Sequence, residues 1–170
     1  QIPVHARGAG TGLAGESLMS ESIRSMTTLN SKAADLMRDV TGIHACTDIT
    51  GFGLLGHAAE MIEASDTGII IDSLSVPLFP GIRDFAEMGI IPAGLNRNRA
   101  FRADIVDAEP SCPEWLLDVL FDPQTSGGLL ISLPAEQAGQ LLERMHAQGI
   151  TEAAVVGRVV DEFTGRIVVR

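Results

Sequence analysis

Positive charge is scarce in this sequence. Its 170 residues include 12 Lys and Arg against 22 Asp and Glu, for a net charge of −10 with histidine neutral. The basic residues form no block, which argues against a nucleic-acid or anionic-membrane surface. Long hydrophobic runs are also lacking: none approaches the roughly 20 residues that a membrane span needs. No charged-then-apolar leader opens the sequence, so no secretory signal is visible. Cysteine is rare, and Cys46 and Cys112 are too few for a disulfide framework. Both read as reduced thiols of a cytoplasmic protein. Cys46 falls in an apolar run and is expected to be a small buried hydrophobe. Cys112, between Ser111 and Pro113, is expected in a loop, and neither reads as a nucleophile. His5, His44 and His146 are scattered and make no zinc pattern. Internal repeats and low-complexity segments are absent.

What remains is a length that suits one domain with a sizeable core, a hydrophobic content of 45% and 18 glycines that signal many tight turns. The most informative stretch runs from Cys46 to His57. The apolar run Ile43–Cys46 reads as a buried strand, and Leu54–Ala64 reads as a helix. Between them lie Asp48, Thr47, Thr50, Gly51 and Gly53. Strand, Gly/Thr loop and helix in that order present backbone N–H groups to an anion. A single carboxylate at the strand end is placed to hold a cation beside it, because Mg²⁺ uses one or two carboxylates and takes its other ligands from water and phosphates. The competing reading is a tight turn in which Asp48 or Thr50 caps the helix and the glycines permit the bend. The residues alone leave the two readings even.

Taken in order, residues 1–15 read as a Gly-rich arm. Residues 16–40 read as two helices, with Leu18, Ile23 and Met26 on one face and Ala33, Leu36, Met37 and Val40 on another. Asn30 or Ser31 is the expected N-cap between them. In the helix after the central loop, Leu54, Leu55, Ala58, Ala59, Met61 and Ile62 make the buried side. His57 there is either a helix histidine satisfied by a neighbour, which we favour, or a residue that meets a phosphate or orients the loop. Gly68–Asp72 is a short buried strand, and Pro80–Met88 a helix started by its proline and stopped at Gly89. Pro92–Arg99 reads as a loop or a turn opening a short helix. Its Asn96-Arg97-Asn98-Arg99 cluster is a secondary candidate for phosphate contact, set against pairing with the many acids. Residues 104–113 read as a loop and Glu114–Phe121 as a helix ended by Asp122-Pro123. Gly127 and Gly128 allow a sharp turn or a close approach, Leu129–Leu133 is a strand, and a helix follows from Pro134 to His146. Two last strands, Ala153–Val160 and Arg166–Arg170, are expected to form a hairpin about Thr164-Gly165. This order describes an α/β or α+β fold: one mixed sheet with helices packed on it.

His44-Ala45-Cys46-Thr47-Asp48-Ile49-Thr50-Gly51-Phe52-Gly53-Leu54-Leu55-Gly56-His57 resembles a signature of the selenophosphate synthetase (selenide, water dikinase) family. Phe121-Asp122-Pro123-Gln124-Thr125-Ser126-Gly127-Gly128-Leu129-Leu130 resembles a second signature of that family. Softer similarity covers Ser25–Asn30 and Asn96–Arg99. The resemblance spans nearly the whole chain but only the C-terminal half of the family's protein. Ala6-Arg7-Gly8-Ala9-Gly10 departs from the family's Lys-Pro-Leu-Gly-like stretch, so no role is assigned there.

The resemblance implies an α/β sandwich of the aminoimidazole-ribonucleotide (AIR) synthase-like superfamily. Residues 16–170 would be its C-terminal domain, and residues 1–15 an arm from a preceding domain. It further implies ATP-dependent formation of selenophosphate from selenide and water, with AMP and phosphate as co-products, in a full-length homodimer. Asp48 would be a Mg²⁺ ligand, and Thr50, Gly51 and Gly53 would shape the loop beside the ATP phosphates. No catalytic residue falls in this stretch, because the family's Cys or selenocysteine nucleophile belongs to the preceding domain; the isolated chain is expected to be inactive. With so few basic residues, the phosphates would have to meet metal ions, backbone amides or positive charge from that domain. Two alternatives stand beside this reading. One is a sibling ATP-dependent enzyme of the superfamily, against which the Thr-Asp-Ile-Thr-Gly-Phe-Gly run argues. The other is a non-catalytic, stand-alone binding module.

Overall fold

The computed structural model describes residues 14–63 and 65–170. The expected arm over residues 1–15 lies, apart from Ala14 and Gly15, outside the described residues. The chain then runs α1 (Glu16–Thr27), α2 (Ser31–Met37), β1 (Ala45–Asp48), α3 (Gly53–Ile62) and β2 (Gly68–Ile71). After a 3₁₀ turn at Ser73–Ser75 come α4 (Ile82–Glu87), α5 (Ala93–Arg102), β3 (Val106–Ala108) and α6 (Glu114–Leu120). The remaining elements are β4 (Leu129–Ser132), α7 (Ala135–Ala147), β5 (Gly157–Val160) and β6 (Ile167–Val169). None of these helices is long and apolar enough to cross a membrane.

The core forms where α3 meets the middle strands. Leu55, Ala58, Ala59 and Ile62 of α3 share one cluster with Ile69 and Ile71 of β2 and Ile167 and Val169 of β6. Leu95 of α5 and Leu117, Leu120 and Phe121 at α6 close it. Burying an aliphatic side chain of this size contributes about 1.5–3 kcal/mol, so this cluster anchors α3 and the loop before it. Cys112, expected in a loop, is in a loop, but it is buried in this cluster. A second cluster holds Ile82 and Phe85 of α4 against Val119 of α6, with Leu18 and Trp115 packed on it.

The sheet differs from the expectation in two ways. First, there are two sheets. β1 and β4 form an antiparallel pair, while β3, β6, β2 and β5 form a four-stranded mixed sheet in that order. Second, β5 and β6 are not a hairpin. β2 lies between them, antiparallel to β5 and parallel to β6. Every residue of β2 is buried, and a buried strand must satisfy its N–H and C=O groups on both edges. The connection from β5 to β6 therefore steps across the end of β2. It passes so closely that a Cβ on Gly68 would stand 2.5 Å from the carbonyl oxygens of Glu162 and Phe163. Gly165 N–H donates to Thr67 O at 2.9 Å on the same crossing.

Smaller differences have local causes. β3 sits in the stretch expected to be loop; only three residues long and mostly exposed, it carries no apolar alternation to read. α4 begins at Ile82 after Gly81 in the left-handed region (φ 74°), not at Pro80. Gly89 (φ 72°) and Gly149 (φ 82°) end α4 and α7 as expected. The Asn96–Arg99 stretch belongs to the ten-residue helix α5 rather than to a loop. Cys46 is exposed, not a buried hydrophobe, because β1 belongs to the two-stranded sheet and presents alternate residues to solvent.

Candidate functional site

The central loop is held by backbone before any side chain acts. β1 ends at Asp48 and α3 starts at Gly53. Beyond the β1–β4 register of Asp48 opposite Leu129, the ladder continues into the loop. Ile49 N–H donates to Gly128 O at 2.9 Å, and Gly127 N–H donates back to Ile49 O at 2.9 Å. Gln124 N–H then reaches Thr50 O at 2.8 Å. The two glycine stretches therefore run side by side as one unit. A Cβ on Gly127 would collide with Ile49 O. Gly53 takes φ 73°, and a Cβ there would stand 2.7 Å from the carbonyl carbon of Phe121. Gly51 faces open space.

The capping reading of this loop is not used. Phe52 occupies the N-cap position of α3, and no side chain caps it. Thr50 is engaged elsewhere: its Oγ1 lies 3.1 Å from Nε2 of His57. The other nitrogen of that ring, Nδ1, lies 2.9 Å from Glu60 Oε2. His57 is buried, 7% exposed, and the Phe52 ring stands 5.6 Å from it. The favoured reading of His57 thus holds in that neighbours satisfy it, and one of those neighbours belongs to the loop.

Asn98 is the clamp that sequence reasoning missed. Sequence alone groups it with Asn96, Arg97 and Arg99 as a candidate for phosphate contact. The structure separates the four. Asn98 is buried, and its Nδ2 donates to Gly51 O at 2.9 Å and to Phe121 O at 3.0 Å. It thereby ties α5 to both glycine stretches. Arg99 is committed to Glu114 and Asp118 at 2.5 and 2.7 Å, and these hydrogen bonds raise its pKa further. Asn96 and Arg97 are exposed. Asn30 acts in a similar way to Asn98. It stands at the N-cap position of α2 but makes no capping bond, and its Nδ2 donates to Gly127 O at 3.1 Å. No periodicity marks either asparagine; the faint signal was that each lies in a stretch of softer family similarity. Replacing Asn98 with Asp would turn the shared donor into an acceptor facing two carbonyl oxygens. We expect a loss of about 2–3 kcal/mol in unfolding free energy, measured by urea titration.

Asp48 sits at the C-terminal end of its strand, and its residue is exposed. Among the described residues it makes no ion pair, and no group of three or more His, Cys, Asp or Glu residues converges as a metal site. One free carboxylate is a donor set that fits Mg²⁺ only as a contributor, with water and phosphate oxygens completing the shell. Two residues earlier, partial burial of the Cys46 sulfur and the charge of Asp48 push its thiol up from the ordinary cysteine value.

The family model for the AIR synthase related protein, C-terminal domain, matches residues 5–170. The chain belongs to that family. Among curated relatives, it is 51% identical over 158 residues to a selenide, water dikinase of Pelobacter propionicus, covering 93% of this chain and 45% of that protein. It is 43% identical over 164 residues to a selenide, water dikinase of Caldanaerobacter subterraneus, covering 94% and 47%. The chain thus spans less than half the length of these relatives. Among solved structures, Escherichia coli HypE superposes with a TM-score of 0.59 at 21% identity, over 81% of this chain and 35% of HypE. That likeness supports the α/β fold of the AIR synthase-related domain. The α/β fold class and the AIR synthase-related C-terminal domain that the resemblance implied therefore stand.

Proposed function

We propose that this chain is the C-terminal domain, residues 16–170, of a selenide, water dikinase, and that it contributes part of a Mg-ATP site shared with a preceding domain. Identity to proteins of that name over nine-tenths of the chain supports the activity. The observation that carries the site is Asp48, exposed and without an ion pair among the described residues, at a strand end whose following loop is fixed by the second glycine stretch. In this reading Asp48 holds Mg²⁺. Thr50, Gly51 and Gly53 form the loop beside the polyphosphate, with Gly51 leaving space for close approach. Mg²⁺ would neutralise charge as the phosphoryl group is transferred, a reaction that depends on positioning and electrostatics more than on a strong acid or base. The full-length protein would use ATP, selenide and water, act as a homodimer in the cytoplasm, and take its nucleophile from the preceding domain.

The direct test is to assay the full-length protein for AMP formation from ATP that depends on selenide. AMP formation independent of selenide would favour a sibling ATP-dependent enzyme, and no nucleotide turnover would favour a binding module. A sharper expectation concerns this chain alone. It should show no thermal shift with millimolar Mg-ATP, since one carboxylate and a few amides hold Mg²⁺ poorly without other phosphate clamps. Saturation at a hundred times the dissociation constant would add about 2.7 kcal/mol, which a melt resolves readily. Binding should emerge only when the separate preceding domain is added. A clear shift with this chain alone would mean that it carries a complete site.

A further inference from the structure

We infer that the Glu60–His57–Thr50 chain fixes the direction of the Thr50 hydroxyl. Thr50 then meets the site as an oxygen acceptor, suited to a hydrated cation and not to a phosphate oxygen. The inference rests on the reading of Asp48 as a cation ligand and narrows the role of its neighbour.

Glu60 sets the direction of the chain. An ionised carboxylate can only accept hydrogen bonds, so the 2.9 Å contact between Glu60 Oε2 and His57 Nδ1 requires Nδ1 to donate. A neutral imidazole has one N–H, and the bond made by one nitrogen sets the role of the other. Nε2 is then an acceptor. Its partner at 3.1 Å is Thr50 Oγ1, so with the ring neutral the hydroxyl is the donor. The ring is buried, and the Phe52 ring stands 5.6 Å from it. The single hydroxyl proton is thereby directed into the fold. What Thr50 retains is lone-pair capacity. Phosphate oxygens are themselves acceptors and gain nothing from it, whereas a metal ion or the O–H of a metal-bound water does. Thr50 lies two residues beyond Asp48, in the loop that continues β1. His57 is a positioning residue in this account: it acts through Thr50 and touches no substrate.

The test uses the full-length protein labelled with ¹⁵N-histidine in mildly alkaline buffer, with His57→Gln to identify the resonances. We expect Nδ1 in the N–H range and Nε2 in the unprotonated acceptor range. The opposite tautomer, or a doubly protonated ring, overturns the inference, because either one frees the hydroxyl proton. The second measurement is Mn²⁺ affinity by paramagnetic resonance in the presence of a non-hydrolysable ATP analogue. Thr50→Val should weaken Mn²⁺ binding by about tenfold, the lower end of what losing a group in a metal's surroundings costs. Analogue affinity at saturating metal should stay unchanged, and Thr50→Ser should restore Mn²⁺ binding. Loss of analogue affinity with Mn²⁺ binding intact would make Thr50 a phosphate donor and overturn the inference, as would no change in either. The Asp48 reading is tested separately by Asp48→Asn. If that variant binds Mn²⁺ normally, the metal reading falls and takes the cation half of this inference with it. A wrong tautomer alone removes the inference and leaves Asp48 standing.

Discussion

On the proposed function, Asp48→Asn in the full-length protein is expected to lose ATP-dependent turnover by on the order of a hundredfold or more, the scale of removing one electrostatic stabiliser from a reacting centre. The substitution keeps the shape of the side chain and deletes its charge. Asp48 is exposed and has no ion pair among the described residues, so the charge does no work for the fold. Unfolding free energy should therefore stay within about 0.5 kcal/mol of the parent, as for surface substitutions away from special features. The split between the two measurements is what identifies a functional carboxylate. Near-normal turnover would remove Asp48 from the site. A large loss of stability would show that the side chain supports the loop, contrary to its exposure.

The largest effect on stability is expected from Gly53→Ala. Two separate costs coincide there. The backbone at φ 73° strains any residue with a Cβ, at about 1–3 kcal/mol. The added methyl would also press into the backbone of Phe121 and Asp122 at 2.7–3.0 Å, and overpacking of that kind costs a further 1–3 kcal/mol or so. Phe121 and Asp122 cannot yield easily: both are buried, and Asn98 holds the Phe121 carbonyl. We expect a total loss of about 3 kcal/mol or more, read from the urea midpoint at constant m-value. Gly51→Ala is the internal control. It has no positive φ and nothing within 4 Å of the added carbon, so its unfolding free energy should move by less than about 0.5 kcal/mol. If both variants behaved alike, the distinction between a packing glycine and an open one would be wrong.

Much of this protein was legible in its sequence because the relevant signals are local. The periodicity of Leu55, Ala58, Ala59 and Ile62 marks a helix with one buried side, and that helix is the centre of the core. The isoleucine run of β2 marks a fully buried strand. Asp48 at a strand end before a glycine loop could be read as a cation ligand or as a helix cap, and resemblance to a known family weighted the first. Pairing in space was not legible. β5 and β6 are sequence neighbours separated by a short turn-rich segment, which is the pattern of a hairpin. They part because the edges of buried β2 must be satisfied, and that demand comes from a strand some ninety residues earlier. Cys46 looked buried because its neighbours are apolar, yet burial depends on which sheet a strand joins.

The same boundary runs through the candidate site. Sequence alone determined which residue types stand near the loop: a carboxylate, hydroxyls, glycines, a histidine. Tertiary structure decided what each of them does. Gly127 and Gly53 serve close backbone approach between two stretches about seventy residues apart, whereas Gly51 faces open space. Asn98 is a clamp and not a phosphate ligand, because the fold turns its amide toward two buried carbonyls. His57 takes its role from the pair of partners that the helix and loop place on its two nitrogens. Hydrogen-bond direction and close approach depend on distances of a few tenths of an ångström. Such distances exist only once distant segments have packed, and no local pattern of residues encodes them.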